Sequence, residues 1–284
     1  MSSTSFSAAP DAVSVLVAPP AAEQAPEGML LVPAGSFTMG ADEGGEADER
    51  PAHEVTVESF WLDVTEVTNA AYGACVAAGM CRPPDPKNAA RNGFDDRAFR
   101  GANQPVSAVS WGDAVAYCAF RGKRLPTEAE WERAARGDDR RTYPWGEEPP
   151  TVEHGVFSSQ VTADVGAHPR GAGPFGHLDL AGNVWEWTAD HYDPLAYTRP
   201  NAREGRPGDC AEILRAQDKL RAEHREGFTG TNPIPTECER VLRGGAFNYP
   251  PRGLRVTNRV HHPARFRLVM SGLRCARDAA SRRP

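Results

Sequence analysis

The residues with the clearest chemical potential lie in one short stretch, GHLDLAGNVWEWTAD, residues 176–190. It places Asp179, Asn183, Glu186 and Asp190 around two tryptophans. Carboxylates and backbone carbonyls in a glycine-containing turn are the oxygen ligands that calcium prefers. An Asx turn at Asp179 and a turn hydrogen bond at Asn183 would explain the same residues without a metal, so both interpretations stay open.

A second stretch, RGGAFNYPPRGLRV at residues 243–256, combines a glycine pair, aromatics, prolines and arginines. Glycine permits backbone angles closed to other residues, and Pro250–Pro251 exclude both a helix interior and a central strand. The pattern therefore predicts a shaped loop. Such loops often carry function, but this one offers no obvious nucleophile, general base or metal ligand.

Other patterns that could indicate catalysis or metal binding are weak. His261 and His262 are neighbours that would point to opposite faces of a strand, so they cannot easily share a metal. No serine lies in a G-x-S-x-G elbow, and no C-x-x-C pair indicates a zinc ribbon or a thioredoxin-like site. Glu128, Glu130 and Glu132 are explained by helix capping and the helix dipole rather than by acid catalysis.

The elements that would position these residues are short. Thr68, Ser110 and Thr127 each precede a helical pattern and are suitable N-caps. Thr127 and Glu130 form a capping box, and Gly137 is suited to ending that helix. The runs GMLLVPAGSFTMG and HEVTVESFWLDVTEVT predict strands.

Two helical faces are predicted from spacing. Trp111, Val115 and Cys118 recur at helical intervals and are expected to face the core. The segment of about residues 198–238 contains a charged helix with a narrow apolar stripe, which predicts a surface insertion.

Composition limits the class of protein. The 284 residues are 40% hydrophobic and 25% charged, enough for one large domain or two small ones. With 27 glycines, 25 prolines and short helical patterns, an irregular α+β domain is favoured. A net charge of −6 without a basic run argues against nucleic-acid binding, and no apolar stretch approaches the roughly 18 residues that span a membrane.

Domain organisation follows from composition along the chain. Residues 1–27, rich in Ala, Pro and Ser, predict a disordered leader or linker, followed by a domain at 28–278 and a tail at 279–284. Six cysteines permit three disulfides without proving any. They are Cys75, Cys81, Cys118, Cys210, Cys238 and Cys275. The first two could close a small loop, and Cys210 and Cys238 bracket the charged segment.

Several blocks of sequence resemble the formylglycine-generating enzyme family, also called the sulfatase-modifying factor family. In order, they are GMLLVPAGSFTMG, WLDVTEVTNAAYGACV, PVSAVSWGDAVAYCAFRGKRLPTEAEWERAARG, YPWGEE, FGHLDLAGNVWEWTAD, RVLRGGAF and GLRCAR. The resemblance covers about residues 28–278. It implies one compact domain of the C-type-lectin-like kind with little regular secondary structure, in agreement with the irregular α+β prediction.

The resemblance also implies specific site residues. It implies one structural calcium ion, with side-chain oxygens from Asp179 and Glu186 and carbonyls from Gly182 and Val184. A second calcium site of the family is not expected, because the corresponding stretch, EHGVFSSQVTADVGAHP, lacks its pattern. The resemblance further implies a disulfide that joins the middle of the domain to its end, between Cys118 and Cys275.

The resemblance fails at the catalytic positions. Formylglycine-generating members carry two cysteines, five positions apart, that bind copper after the glycine pair. Here those positions are Tyr249 and Leu254, and Ala246 replaces the active-site serine. Tyrosine and leucine cannot replace a thiolate pair for Cu(I), so we expect no copper and no formylglycine-generating oxidase activity.

The remaining groove predicts a binding or accessory module for a peptide, a protein, a glycan or a small ligand. Its candidate ligand-binding residues are Trp185, Phe247, Asn248, Tyr249, Arg252 and Arg255. Rigid aromatics with a few polar anchors suit such recognition. In the alternative interpretation, Trp185 and Phe247 belong to the core and the arginines are solvated.

A catalytic alternative stays open. Relatives of this fold serve in sulfoxide-forming thiohistidine synthesis and in siderophore maturation. The first of these needs an iron-binding helical domain with a His-rich motif, which this sequence lacks. An oxidoreductase of the siderophore-maturation type, using chemistry without copper, and a cysteine-to-formylglycine oxidase are therefore the alternatives. Three cystine pairs would favour an oxidising location, so the cell envelope or secretion is preferred, although the visible N-terminus lacks an export signal.

Overall fold

Short helices and three small β-sheets build the α+β structure. The computed structural model describes residues 24–85, 93–205, 208–222 and 237–280. The helices in these ranges are α1 (Asn69–Ala77), α2 (Trp111–Phe120), α3 (Glu128–Arg136) and α4 (Cys210–Ala222). The strands are β1 (Met29–Val32), β2 (Gly35–Met39), β3 (His53–Val57), β4 (Phe60–Asp63), β5 (Trp185–His191), β6 (Glu239–Arg243), β7 (Val260–Pro263), β8 (Ser271–Gly272) and β9 (Ala276–Asp278).

Each sheet is small, and the largest one positions the candidate site. One sheet has the order β1-β4-β9, a second pairs β2 with β3, and the third has the order β7-β6-β5-β8. In the third sheet, β5 and β6 are antiparallel with Glu186 opposite Arg243, while β8 runs parallel to β5. The acidic stretch therefore enters this sheet at β5, and the glycine-pair loop leaves it at β6.

The predicted N-caps are confirmed. The Thr68 hydroxyl accepts a hydrogen bond from the Ala71 N–H at 3.1 Å. Ser110 and Thr127 each form a complete capping box with the acidic residue three positions on. Gly137 ends α3 with φ +71°, in the region that favours glycine.

The prediction of which α2 residues face the core is wrong for one residue. Val115 remains 37% exposed, whereas Ala114, Tyr117 and Cys118 are buried. The buried stripe of this helix is centred on these three residues, and successive helical residues are rotated by about 100°. Val115 therefore lies at the edge of the stripe and Trp111 is half-buried.

The interpretation of the α3 acids is corrected for two of the three residues. Glu130 caps the helix as predicted, and its carboxylate also pairs with Arg124. Glu128 instead accepts two hydrogen bonds from Arg259, at 2.7 and 2.9 Å, in the protein interior. Although burial opposes ionisation, the arginine charges hold the pKa of Glu128 below its ordinary value. Glu132 is fully buried and pairs with arginines as well.

All six cysteines form disulfides. Cys118 pairs with Cys275, as the resemblance implied, and the other two bridges join Cys75 to Cys81 and Cys210 to Cys238. The first bridge links α2 to the segment before β9 across 157 positions of the sequence. It therefore closes the fold between its middle and its end.

The charged helix α4 is not purely a surface element. Ile213 and Gln217 are buried, so one narrow side of the helix packs against the protein. Much of the predicted insertion, at 206–207 and 223–236, lies outside the described residues, as do residues 1–23 of the predicted leader and 281–284 of the predicted tail. Among the described residues, no helix is long and apolar enough to span a membrane.

A buried histidine is expected to contribute to the pH dependence of stability. His177 is fully buried, and neither ring nitrogen has a hydrogen-bond partner of good geometry among the described residues. Burial, together with the positive charge of Arg274, lowers the pKa of His177 to about 4. Because the unfolded chain takes up this proton near pH 6.5 and the folded chain does so only near pH 4, the histidine's contribution to stability is complete above pH 6.5 and is lost between these values.

We expect His177→Phe to reduce this loss. Between pH 7 and pH 4, the free energy of unfolding of the unchanged protein should fall by about 3 kcal/mol more than that of the variant. Urea unfolding at several pH values measures the difference. His168→Phe, at a half-buried histidine, is the control and should behave like the unchanged protein. Parallel pH curves for His177→Phe and the unchanged protein would contradict this role of His177.

Candidate functional site

The glycine-pair loop after β6 has the shape that its sequence predicts. Gly244 and Gly245 have φ values of +101° and +85°, and residues Pro251–Leu254 form one 3-10 turn. A Cβ atom at Gly245 would lie 2.8 Å from the carbonyl oxygen of Gly253. The two sides of the loop thus approach so closely that only glycine fits at position 245.

Arg243 anchors both ends of this loop. The side chain is fully buried and donates to the carbonyl oxygens of Val256, at 2.6 Å, and Thr257, at 3.2 Å. It also donates to the carboxylates of Glu128 and Glu132 on α3. The loop is therefore fixed to α3 by charge-assisted hydrogen bonds in the interior.

Tyr249 and Leu254, the two loop residues at which the resemblance would place cysteines, both pack against the protein. Leu254 is fully buried, and Ala246 is buried beside the loop. The Tyr249 ring meets the Trp185 ring edge-on, with 5.2 Å between the ring centroids. Because all six cysteines are in disulfides, the described loop has no thiol at hand.

The six predicted ligand-binding residues do not form one surface. Trp185 is only 2% exposed and Phe247 is fully buried, and both pack in the largest hydrophobic cluster. Asn248 and Tyr249 are half-buried, and Arg252 is exposed. The loop therefore presents these last three residues to solvent, while Arg255 takes part in a separate buried contact.

Arg255 forms a two-point ion pair with Glu49, with N–O distances of 2.7 and 2.8 Å. Thr257 and Asn258 donate to the same carboxylate. Burial opposes ionisation, but these hydrogen bonds outweigh it and hold the pKa of Glu49 below its ordinary value. The pair joins the loop to the 3-10 turn Ala47–Glu49.

A polar cavity of about 540 Å³ lies on this side of the loop. We call it the arginine cavity, because Arg136, Arg140 and Arg255 line it. Asp42 and Glu43, from the segment after β2, lie on its wall. Sequence reasoning predicted only Arg255, since the other arginines come from α3 and the segment after it and no local pattern connects them.

A second cavity, also about 540 Å³, is mainly apolar. One face of α1 lines it through Tyr72, Gly73, Val76 and Ala77, and Phe99 closes another side. Sequence reasoning missed this cavity, although the spacing of those α1 residues at one helical face was a visible signal.

The predicted calcium residues lie at the entry to β5. Asp179, Gly182 and Asn183 have positive φ values, so the segment is a tight turn. The Asp179 carboxylate accepts a hydrogen bond from the Gly166 N–H at 2.6 Å. Glu66, which sequence reasoning missed, accepts from the Asn183 amide at 2.7 Å.

Glu186 is occupied by protein partners. Its fully buried carboxylate accepts two hydrogen bonds from Arg274, at 2.6 and 2.7 Å, and one from the Trp131 indole at 2.8 Å. Within the part of the chain that the structure describes, no group of three or more His, Cys, Asp or Glu side chains is arranged to hold a metal ion. In this arrangement Glu186 does not fit as a calcium ligand.

The carboxyl groups of Glu66, Asp179 and Glu186 affect one another electrostatically. Burial raises the pKa values of Glu66, Asp179 and Glu186, and the charge of Asp179 adds to this effect at the other two. Arg274 is the cation that lowers all three values. Because a raised pKa favours the neutral carboxyl group, these three groups carry more negative charge when a cation is bound beside them than when none is.

Comparisons with known proteins agree on one family. The family model described as "Sulfatase-modifying factor enzyme 1-like domain" matches residues 15–279. The chain is similar to formylglycine-generating enzyme from Mus musculus, at 35% identity over 57% of this chain and 58% of the relative. It is also similar to hercynine oxygenase from Mycolicibacterium smegmatis, at 32% identity over 88% of this chain and 61% of the relative. The chain thus spans less than two thirds of the length of these relatives.

The fold is similar to that of a solved protein. The structure of PvdO from Pseudomonas aeruginosa matches with a TM-score of 0.65 and 26% identity, over 88% of this chain and 94% of that one. The match confirms the predicted fold class, an α+β domain of the C-type-lectin-like, formylglycine-generating-enzyme-like kind.

Proposed function

The chain belongs to the sulfatase-modifying factor family, and from this membership we propose that it is a member without copper-dependent cysteine oxidation that serves as a binding or accessory module. One observation carries the proposal. All six cysteines are in disulfides, and the positions of the family's copper-binding pair hold Tyr249 and Leu254.

The chemistry of copper explains why this observation matters. Cu(I) is a soft ion that prefers thiolate or thioether ligands, and a disulfide sulfur carries no thiolate charge. Leu254 has no donor atom at all. The chain would need to reduce a bridge and move its cysteine to the loop before it could hold copper there.

The surface of the loop supports binding instead. Asn248, Tyr249 and Arg252 are the solvent-facing members of the predicted groove, and Arg255 lines the arginine cavity. A rigid loop with an aromatic ring and cationic groups suits recognition of a peptide, a protein or a small ligand.

The proposal is tested by anaerobic Cu(I) titration of the protein with its disulfides intact. The protein is then incubated in air with a CxPxR peptide, and the peptide is analysed by mass spectrometry. We expect no tight copper binding and no conversion of the peptide cysteine to the aldehyde. Aldehyde formation would overturn the proposal.

Restoring the thiols should restore copper binding. In the variant Tyr249→Cys with Leu254→Cys, we expect about one Cu(I) per chain to bind, because two thiolates then stand in the loop. The matched control is Tyr249→Ser with Leu254→Ser, which changes the same positions without a soft ligand. Equal copper binding by both variants would show that thiolates at positions 249 and 254 do not cause the binding.

A catalytic alternative has one supporting observation. The similarity to hercynine oxygenase and to PvdO extends over 88% of this chain in each case. An oxidoreductase that works without the cysteine pair would therefore be compatible with the family. Redox turnover of a bound small molecule by the protein, followed by mass spectrometry, would support this alternative over binding alone.

We also propose a structural calcium ion near Asp179, Gly182 and Val184, which the group of buried carboxyl side chains supports and the Arg274 contact of Glu186 opposes. A site filled at 100 times its dissociation constant adds about 2.7 kcal/mol of stability, so calcium should raise the Tm by roughly 5 °C over EDTA. Asp179→Asn should abolish this rise, whereas Asp164→Asn, at an exposed acid, should keep it. An unchanged Tm with calcium would contradict the site.

The location is proposed from the disulfides. Three bridges are stable in oxidising compartments and rare in the cytosol, which supports the cell envelope or secretion. Fractionation of cells with an antibody against the protein tests this location, and recovery in the cytosolic fraction with free thiols would contradict it.

A further inference from the structure

The lining of the arginine cavity carries charges of both signs. Arg136, Arg140 and Arg255 bring three guanidinium groups, and Asp42 and Glu43 bring two carboxylates. Arg255 is already neutralised by its two-point pair with Glu49. Arg136 also pairs with Glu132, a carboxylate that it shares with Arg243, so its charge is only partly neutralised. The charges left on the lining are therefore those of Arg140 and part of that of Arg136, beside those of Asp42 and Glu43, so the cavity offers groups for both an anion and a cation.

The ion pair between Arg140 and Asp42, two residues of the cavity lining, is weak. Arg140 lies 3.3 Å from Asp42, and their side chains are 66% and 56% exposed. Exposed ion pairs of this kind contribute little to stability. A ligand could separate the two side chains at little cost and pair with each of them.

Arg136 offers a donor that the protein leaves unused. One of its terminal nitrogens donates to the carbonyl oxygens of Thr38 and Gly40 and to Glu132. Its Nε atom is buried and has no hydrogen-bond partner among the described residues. Since buried polar groups are normally paired, the Arg136 guanidinium, which lines the cavity, is left incompletely satisfied by the protein.

We propose that the arginine cavity binds a small zwitterion, a molecule with an ammonium group and a carboxylate, of the free amino acid or short peptide class. The carboxylate pairs with Arg140 and Arg136, and the ammonium pairs with Asp42 and Glu43. Each charge on the ligand then replaces one half of the Arg140–Asp42 pair. The inference rests on the proposed binding function and names the ligand class for it.

The size of the cavity agrees with this class. A volume of about 540 Å³ falls in the range of roughly 300–1,000 Å³ that is typical of small-molecule sites. Such a volume accepts a free amino acid with water or a peptide of two or three residues. The mouth is open to solvent at Arg140 and Glu43, so a ligand needs no large rearrangement to enter.

The experiment is isothermal titration calorimetry of the full chain at constant ionic strength. The probes are the twenty protein amino acids in groups, and glycylglycine. The best binder is then compared with its N-acetyl form, which lacks the ammonium, and its amide, which lacks the carboxylate. We expect each of these two forms to bind about tenfold more weakly or worse. A preference for glycylglycine over all free amino acids would show that the ligand is a short peptide rather than a free amino acid.

Two variants test the carboxylate-binding group and the ammonium-binding group of the site separately. Arg140→Gln should weaken the binder about tenfold and remove the discrimination against its amide form. Asp42→Asn keeps the oxygen that accepts from the Ala52 N–H and should remove the discrimination against the N-acetyl form. The control is Arg170→Gln, at an arginine 68% exposed and paired with Glu153 outside the cavity, which should leave affinity unchanged.

Two results would overturn the inference. One is the absence of binding by every probe at about 10 mM, because a dissociation constant above this concentration means very weak binding. The other is equal binding of the N-acetyl form and of inorganic phosphate, which would make the cavity a simple anion site. Aldehyde formation in the copper assay would overturn the proposed function but not this result, so the two failures are distinguishable.

Discussion

Replacement of the Cys118–Cys275 disulfide by two alanines is expected to lower the free energy of unfolding by about 5 kcal/mol. This bridge spans 157 positions, and a cross-link that closes a long loop removes much conformational entropy from the unfolded chain. Both sulfurs are fully buried, so lost packing adds to the effect. Natural domains have a stability of about 5–15 kcal/mol, so this one change could remove much of the total.

The short bridge supplies the matched comparison. Cys75 and Cys81 are six positions apart, and replacement of both by alanine should cost about 2 kcal/mol by the same entropy relation. Urea unfolding of the two double variants and the unchanged protein, at one pH and temperature, gives the two differences. Equal losses, or a larger loss for the short bridge, would contradict the dependence on loop length.

Local features of the fold were predictable because their causes lie within a few residues. Thr68, Ser110 and Thr127 cap the helices that follow them, and each cap needs only the next three residues. The glycine pair at 244–245 likewise predicted a loop with positive φ values. The Cys118–Cys275 bridge was predicted from the resemblance to the family, not from a local pattern.

Features that depend on distant residues were not predictable from local patterns. The sequence around Glu128 and Glu132 suggests helix-dipole and capping roles. However, Glu128 pairs with Arg259 and Glu132 pairs with Arg243, each more than 100 positions away. Trp185 belongs to a stretch that resembles a binding groove, but the fold covers it from several sides. The arginine cavity is formed by segments from three parts of the chain, and no single segment shows it.

The same limitation explains the calcium interpretation. The stretch 179–186 carries suitable oxygen ligands in sequence, and nothing within it shows that Glu186 faces Arg274. Arg274 lies 88 positions later, in the block that also contains the disulfide cysteine. The local motif thus predicts a calcium site that stays a prediction, whereas the contact between Glu186 and Arg274 is visible only in three dimensions.

Arg274→Met is expected to destabilise the protein by about 3–5 kcal/mol at pH 7.5, because it leaves Glu186 buried without its charged partner. The arginine also donates to the carbonyl oxygens of Asp63, Val64 and Leu178, which join β4 to the turn before β5. Methionine fills a similar space but provides none of these donors. Urea unfolding measures the loss, and Arg97→Met, at an exposed arginine paired with Asp95, is the control with little expected effect.

The dependence on pH separates charge from packing in this variant. Burial already raises the pKa values of Glu66, Asp179 and Glu186, and removal of the arginine should raise them further. A carboxyl group whose pKa is higher in the folded state than in the unfolded state stabilises the fold as the pH falls through that interval. The loss caused by Arg274→Met should therefore be smaller at pH 5.5 than at pH 7.5.

A second substitution completes the argument. Glu186→Gln removes one of the negative charges while keeping the shape of the side chain, so the double variant should lose less stability at pH 7.5 than Arg274→Met alone. If the double variant is no more stable and the loss is the same at both pH values, Arg274 acts through packing and its carbonyl contacts only. The proposed calcium ion would then lose its main support, since the three buried carboxyl groups would be neutral in the folded protein.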